Sequence, residues 1–134
     1  MASRREAPDS IAGSPYSSLL GLRMESSGEG TAVLRMPFQA KLLNDGGPNV
    51  PVHGGAIASL VDVAACAAVW TLDATTRSAT ISMTVNYTGM AIQTDLLAHA
   101  TVRRHSKRVA SVNVEIRDSN DALVADALVT YKIA

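Results

Sequence analysis

Asp62 is the only acidic or basic side chain, histidine aside, in residues 52–70, which read VHGGAIASLVDVAACAAVW. An ionised carboxylate among alanines and valines is costly unless something pairs with it. The same run opens with His53-Gly54-Gly55, so a helix beginning there would present unpaired backbone N–H groups and the positive end of its dipole with nothing bulky in front. Such an end can polarise a carbonyl or hold an anion. Gly54 and Asp62 are eight residues apart, roughly 12 Å along a helix at 1.5 Å per residue. One reacting carbon cannot touch both. A site that uses both needs the helix start of one subunit beside the Asp of another, so a symmetric dimer becomes part of the chemistry.

The run carrying these groups is apolar on every side and rich in Ala and Leu, the pattern of a helix surrounded by protein. The chain around it has 134 residues, 47% of them hydrophobic, enough for one domain with a real core. Charge is balanced, with 12 basic and 12 acidic residues, which gives no overall pull toward nucleic acid or an anionic membrane. Aromatic content of 4% leaves no stacking platform for nucleic acid either. As a membrane span, the central helix would bury a charge. Cys66 is the only cysteine, so no internal disulfide forms and a reducing, cytoplasmic setting fits. It reads as a core residue, since no activating neighbour accompanies it. His53, His99, His105 and Cys66 lack the spacing of metal ligands.

Residues 1–13 read as a flexible tail without the apolar stretch of a secretory signal, and residues 14–134 as the single domain. Ser14-Pro15 and Gly21 bracket a short helix over 15–20. A strand is expected around 22–27. In the next, Ala32, Leu34, Met36 and Phe38 alternate with Thr31, Val33, Arg35 and Pro37. Residues 39–51 form a long loop of turn-forming residues, a type more often functional than idle. Strict alternation then returns, with Ile81, Met83, Val85 and Tyr87 on one face and Thr80, Ser82, Thr84 and Asn86 on the other. Two more alternating strands follow over 96–103 and 110–117. The last, over 123–133, is apolar on both faces and so suits a central position or an interface. The fold class is α+β: a curved antiparallel sheet of about five or six strands around one long helix.

An Asn-containing loop, His53-Gly54-Gly55, an alanine-rich helix with an acid nine positions after the His, and a series of alternating strands together resemble the hotdog fold. Within it, the chain most resembles the PaaI-type acyl-CoA thioesterases of the phenylacetate pathway. The resemblance covers about residues 16–133, and its specific part is the spacing from His53-Gly54-Gly55 to Asp62. It implies that Asp62 is the catalytic carboxylate, acting as nucleophile or as general base for water, and that Gly54 or Gly55 supplies the N–H that polarises the carbonyl. The family's loop asparagine falls at Asn44, nine residues before His53, with Asn49 as competitor beside the extra Gly46-Gly47-Pro48. Its strand hydroxyl falls at Thr80, with Ser82 second. His53 is expected to orient the loop or pack rather than to act as base.

The resemblance also implies a small-molecule acyl-CoA substrate, with coenzyme A as part of the substrate and no separate cofactor. It implies a homodimer with two sites at its interface, pairing further into a homotetramer. Arg103, Arg104, Lys107 and Arg108, at a hairpin, suit the phosphates of coenzyme A and equally a solvated turn. An acyl pocket is expected between the helices of two subunits, lined by Val61, Ala65, Trp70 and Met83. Two other readings share much of this pattern. One is a hotdog protein that binds acyl-CoA without turning it over. The other is a hydratase or dehydratase, which the order of His53 and Asp62 disfavours.

Overall fold

The computed structural model describes residues 5–134. Two short helices, α1 (Ser10–Gly13) and α2 (Pro15–Leu19), precede β1 (Arg23–Gly28) and β2 (Thr31–Met36). A single 3-10 turn at Ala40–Leu42 leads to α3 (Gly54–Val69). Four long strands follow, β3 (Ser78–Tyr87), β4 (Leu96–His105), β5 (Val109–Arg117) and β6 (Leu123–Ile133). All pair antiparallel in one sheet of order β1-β2-β4-β5-β6-β3. The sheet wraps α3 in the hotdog arrangement.

Residue size explains the wrapping. The inner faces of β2, β4, β5 and β6 carry Ala32, Ala98, Ala100, Ala110, Ala125 and Ala127 beside larger aliphatics, and α3 answers with Ala64, Ala65, Ala67 and Ala68, all buried. Small residues on both sides let a curved sheet approach the helix closely, while Leu34, Leu60, Val112 and Ile116, at 0% exposure, fill the space between. The end of α3 is closed by buried threonines. Thr71 Oγ1 donates to the Ala68 carbonyl and Thr75 Oγ1 to the Val69 carbonyl, both at 2.6 Å, satisfying groups that a helix C-terminus leaves unpaired.

Three expectations need revising. The helix is not enclosed on all sides by its own chain: Ala58, Ser59, Asp62, Val63 and Cys66 remain half-buried along one stripe. Residues 5–13, expected as part of a tail, are docked, and residues 1–4 lie outside the described residues. Arg5 donates to the carbonyls of Leu72 and Thr75 and stacks over the Trp70 ring at 5.2 Å, and Ala7 N–H donates to Ser27 Oγ at 2.9 Å. Finally, the alternation of β3 is broken by a bulge, since Thr80 pairs with Tyr131 and Ser82 with Thr130, leaving Ile81 without a partner residue. Ile81 is therefore 56% exposed instead of facing the helix with Met83 and Val85. The last strand, β6, is internal, as its two apolar faces suggest, although Leu128 on its outer face stays exposed beside Asp126, Thr130 and Lys132.

Among the described residues, no helix is long and apolar enough to cross a membrane. Ala64→Leu, which forces three extra carbons into the helix–sheet contact, should destabilise the fold by about 1–3 kcal/mol in a denaturant titration.

Candidate active site

The open stripe of α3 carries Asp62. Its Oδ1 accepts two hydroxyl hydrogen bonds, from Thr80 Oγ1 at 2.8 Å and from Tyr131 Oη at 2.5 Å; Tyr131 Oη also lies 2.8 Å from the Asp62 carbonyl oxygen. Oδ2 makes no hydrogen bond to the described residues. The bulge at Ile81 is what brings Thr80 here. Without the extra residue, Thr80 would face away from Met83 and from the helix; with it, Thr80 sits opposite Tyr131 on the inner face.

Tyr131 was absent from the residues singled out in the sequence. It lies in a strand that reads as apolar on both faces, 69 residues from Asp62. The one available signal was a tyrosine among aliphatics on a buried face, where a phenol must find a polar partner. It is 3% exposed, and burial, reinforced by the hydrogen bond to Asp62, pushes its pKa far up, so it remains a proton donor.

At the start of α3, His53 is the cap. Its Nδ1 accepts from Gly55 N–H at 2.8 Å, and its backbone N–H donates to the Leu42 carbonyl at 2.7 Å. Gly55 N–H is thereby occupied, whereas Gly54 N–H donates to nothing among the described residues. The Gly54 carbonyl is held from β3, where Tyr87 Oη donates to it at 2.7 Å. His53 and Asp62 are not hydrogen-bonded to each other.

Asn44 lies at the neck of the 39–51 loop. Its N–H donates to the Pro51 carbonyl at 3.1 Å, beside the bridge between Leu43 and Val52. Asn49 sits further out at φ +57°, a left-handed conformation that Asn tolerates. Neither side chain bonds Asp62 within one protomer. Arg103 is the extra residue of a second bulge, which places Arg104 opposite Ser111 on the sheet's outer face; Lys107 and Arg108 are exposed at the hairpin. That hairpin is continuous with the site, because the row His105–Ala110–Tyr131–Thr80 runs straight across four strands.

Of the residues expected to line an acyl pocket between two subunits, Trp70 and Met83 are half-buried. Val61 and Ala65, at 0% exposure, are buried in the core. The cavity bordering Asp62 lies instead under α1 and α2. It holds about 270 Å³ and is lined by Ile11, Tyr16, Val63, Cys66 and Tyr131 among others. Cys66, expected in the core, is instead half-buried at the cavity wall, and burial pushes its thiol pKa up. No cluster able to hold a metal ion occurs among the described residues.

Residues 51–125 match the family model described as the thioesterase superfamily. A candidate esterase of Halobacterium salinarum is 33% identical over 112 residues, which cover 81% of this chain and 74% of that protein. A solved structure of a conserved protein from Pseudomonas aeruginosa is similar with a TM-score of 0.85 at 32% identity, covering 94% of this chain and 98% of the other. A mutant of the phenylacetic acid degradation protein PaaI from Thermus thermophilus is similar with a TM-score of 0.79 at 26% identity, covering 90% and 99%.

Because His53 caps α3, His53→Ala should cost about 1 kcal/mol of stability, while His53→Asn, a side chain that also caps, should stay close to the parent in the same denaturant titration.

Proposed function

The chain belongs to the thioesterase superfamily, and from that membership and the setting of Asp62 we propose that it hydrolyses an acyl-CoA thioester to the free acid and coenzyme A. The observation that carries this reading is a carboxylate with one oxygen held by two hydroxyls and the other without a partner among the described residues, at the wall of a cavity. The free Oδ2 has two routes. It attacks the thioester carbon, expelling the thiolate and leaving a mixed anhydride that water opens, or it takes a proton from a water whose oxygen adds to that carbon. Either way the C–S bond breaks and the thiolate takes a proton from solvent. A thiolate is a good leaving group, so a carboxylate and an oxyanion donor suffice and no metal is needed.

Gly54 N–H is the donor that suits the developing oxyanion, since the Gly55 N–H is taken by His53. It belongs to the partner subunit, because roughly 12 Å of helix separates it from Asp62 of the same chain. Two features support a second copy at this face. The stripe of α3 around Asp62 is half-open. β3 is a long edge strand with one side unpaired and with Ile81 and Tyr87 more than half exposed, the kind of edge a partner strand covers. Asn44 is the loop side chain we assign to the partner's site, where it would help orient the nucleophile or water. Arg103, Arg104, Lys107 and Arg108 suit the phosphates of coenzyme A, one hairpin away from Tyr131.

Release of free coenzyme A thiol from a panel of short, medium and aryl acyl-CoAs tests the reading, with Asp62→Ala and Asp62→Asn checked for unchanged oligomeric state. Turnover by the parent should fall about 10²-fold or more in both variants. Saturable binding without turnover by the parent would favour a non-catalytic acyl-CoA binder. Turnover untouched by Asp62→Ala would overturn the assignment of the carboxylate.

A further inference from the structure

We propose that Tyr131 is a positioning residue for the reaction, which with Thr80 saturates Oδ1 of Asp62 and so commits Oδ2 to the substrate. The inference rests on the thioesterase reading of Asp62 and adds to it a residue from the far end of the chain.

A plain structural role would explain less than is observed. A buried phenol needs one hydrogen-bond partner, and the Asp62 backbone carbonyl at 2.8 Å already provides it. The second, shorter approach of 2.5 Å is to the carboxylate, in the range of charge-assisted O–H···O⁻ bonds. The single phenolic proton lies between the backbone carbonyl and the carboxylate of the same residue and favours the nearer, charged oxygen, which ties the carboxylate to the sheet beside the helix that carries it. Thr80 approaches the same oxygen from the neighbouring strand. With both donors on Oδ1, a half-buried Asp that could otherwise rotate in solvent is held in one orientation, with Oδ2 as the remaining nucleophilic or basic oxygen.

The Tyr131 donor is itself firmly held. Tyr131 is buried in β6 between Ala110 of β5 and Thr80 of β3. Its ring reaches α3 from the sheet, so the orientation of the reacting oxygen is set by the packing of sheet on helix rather than by a loop. The phenol stays protonated because burial and the adjacent carboxylate both disfavour the phenolate, so it keeps donating across the working pH range.

Tyr131→Phe removes one hydroxyl and keeps the ring. In thiol-release kinetics with the parent's best acyl-CoA, kcat should fall about 10- to 100-fold, the scale expected when a reacting group is misplaced by about 1 Å. KM and the affinity for a non-hydrolysable thioether analogue of that substrate should stay within about twofold, since the substrate makes no contact with the lost hydroxyl in this account. Thr80→Val, on the exposed edge strand, should lower kcat in the same way and decides the matter if Tyr131→Phe does not fold. A parent-like kcat in Tyr131→Phe, or in Thr80→Val where Tyr131→Phe does not fold, would overturn the proposal. So would a fall in kcat matched by an equal loss of analogue binding, which is what a general disturbance of the fold produces. Loss of turnover in Asp62→Ala alongside parent-like Tyr131→Phe would leave the thioesterase reading standing and remove only the role of Tyr131. A parent without turnover would remove the reading itself.

Discussion

The rest of the structure depends on α3 being one unbroken, tightly held rod. It carries the Gly54 N–H at its start and the Asp62 carboxylate two turns on, and it fixes the distance between them. Its alanines let the sheet close around it, buried threonines finish its last turn, and His53 finishes its first. What the sheet leaves uncovered is equally informative. The stripe of Ala58, Ser59, Asp62, Val63 and Cys66 is the face of the helix that the chain leaves half-open, touched there by the Thr80 and Tyr131 hydroxyls of the sheet, and the Asp62 carboxylate lies in it. Burial on one side and access on the other follow from the same residue pattern.

An irregularity in the sheet completes the site. A regular β3 would turn the Thr80 hydroxyl away from the helix. The extra residue at Ile81 reverses the facing of every position before it, so that Thr80 and Tyr131 stand side by side above Asp62. Bulges are common where a strand must aim a side chain without losing its place in the ladder. Here the cost is an exposed isoleucine on an edge strand, and a second copy pairing at that edge would offset it.

Much of this was legible in the sequence because periodicity carries it. Period-two runs marked the strands, the all-apolar run marked α3, and the lone acid after His53-Gly54-Gly55 marked the carboxylate that two sheet hydroxyls hold. The residues that escaped are those whose placement depends on contacts between distant segments. Tyr131 looks like another large residue in an apolar strand until β6 is set beside β3 and above α3. The bulges at Ile81 and Arg103 leave no mark in an alternating pattern, since one inserted residue reads as a continued alternation from either side. Val61 and Ala65 seemed to be pocket residues because an all-apolar helix does not disclose which face the sheet covers. Residues 5–13 read as a tail since their docking rests on hydrogen bonds from Arg5 and Ala7 and on the Arg5–Trp70 contact, not on any apolar period.

The central claim is that each site joins Asp62 of one subunit to Gly54 of the other, and mixing two inactive variants tests it most directly. Gly54→Pro deletes the N–H while keeping the helix, because proline is favoured at the first helical position and His53, at φ −59° and ψ 135°, already has the extended backbone required before it. Asp62→Ala deletes the carboxylate. Unfolded together and refolded as an equal mixture, half of the dimers pair the two variants and carry one intact site of two, so thiol release should recover to about a quarter of the parent's. A mixture as inactive as its two components would contradict the account, because sites contained within single subunits cannot be restored by exchange.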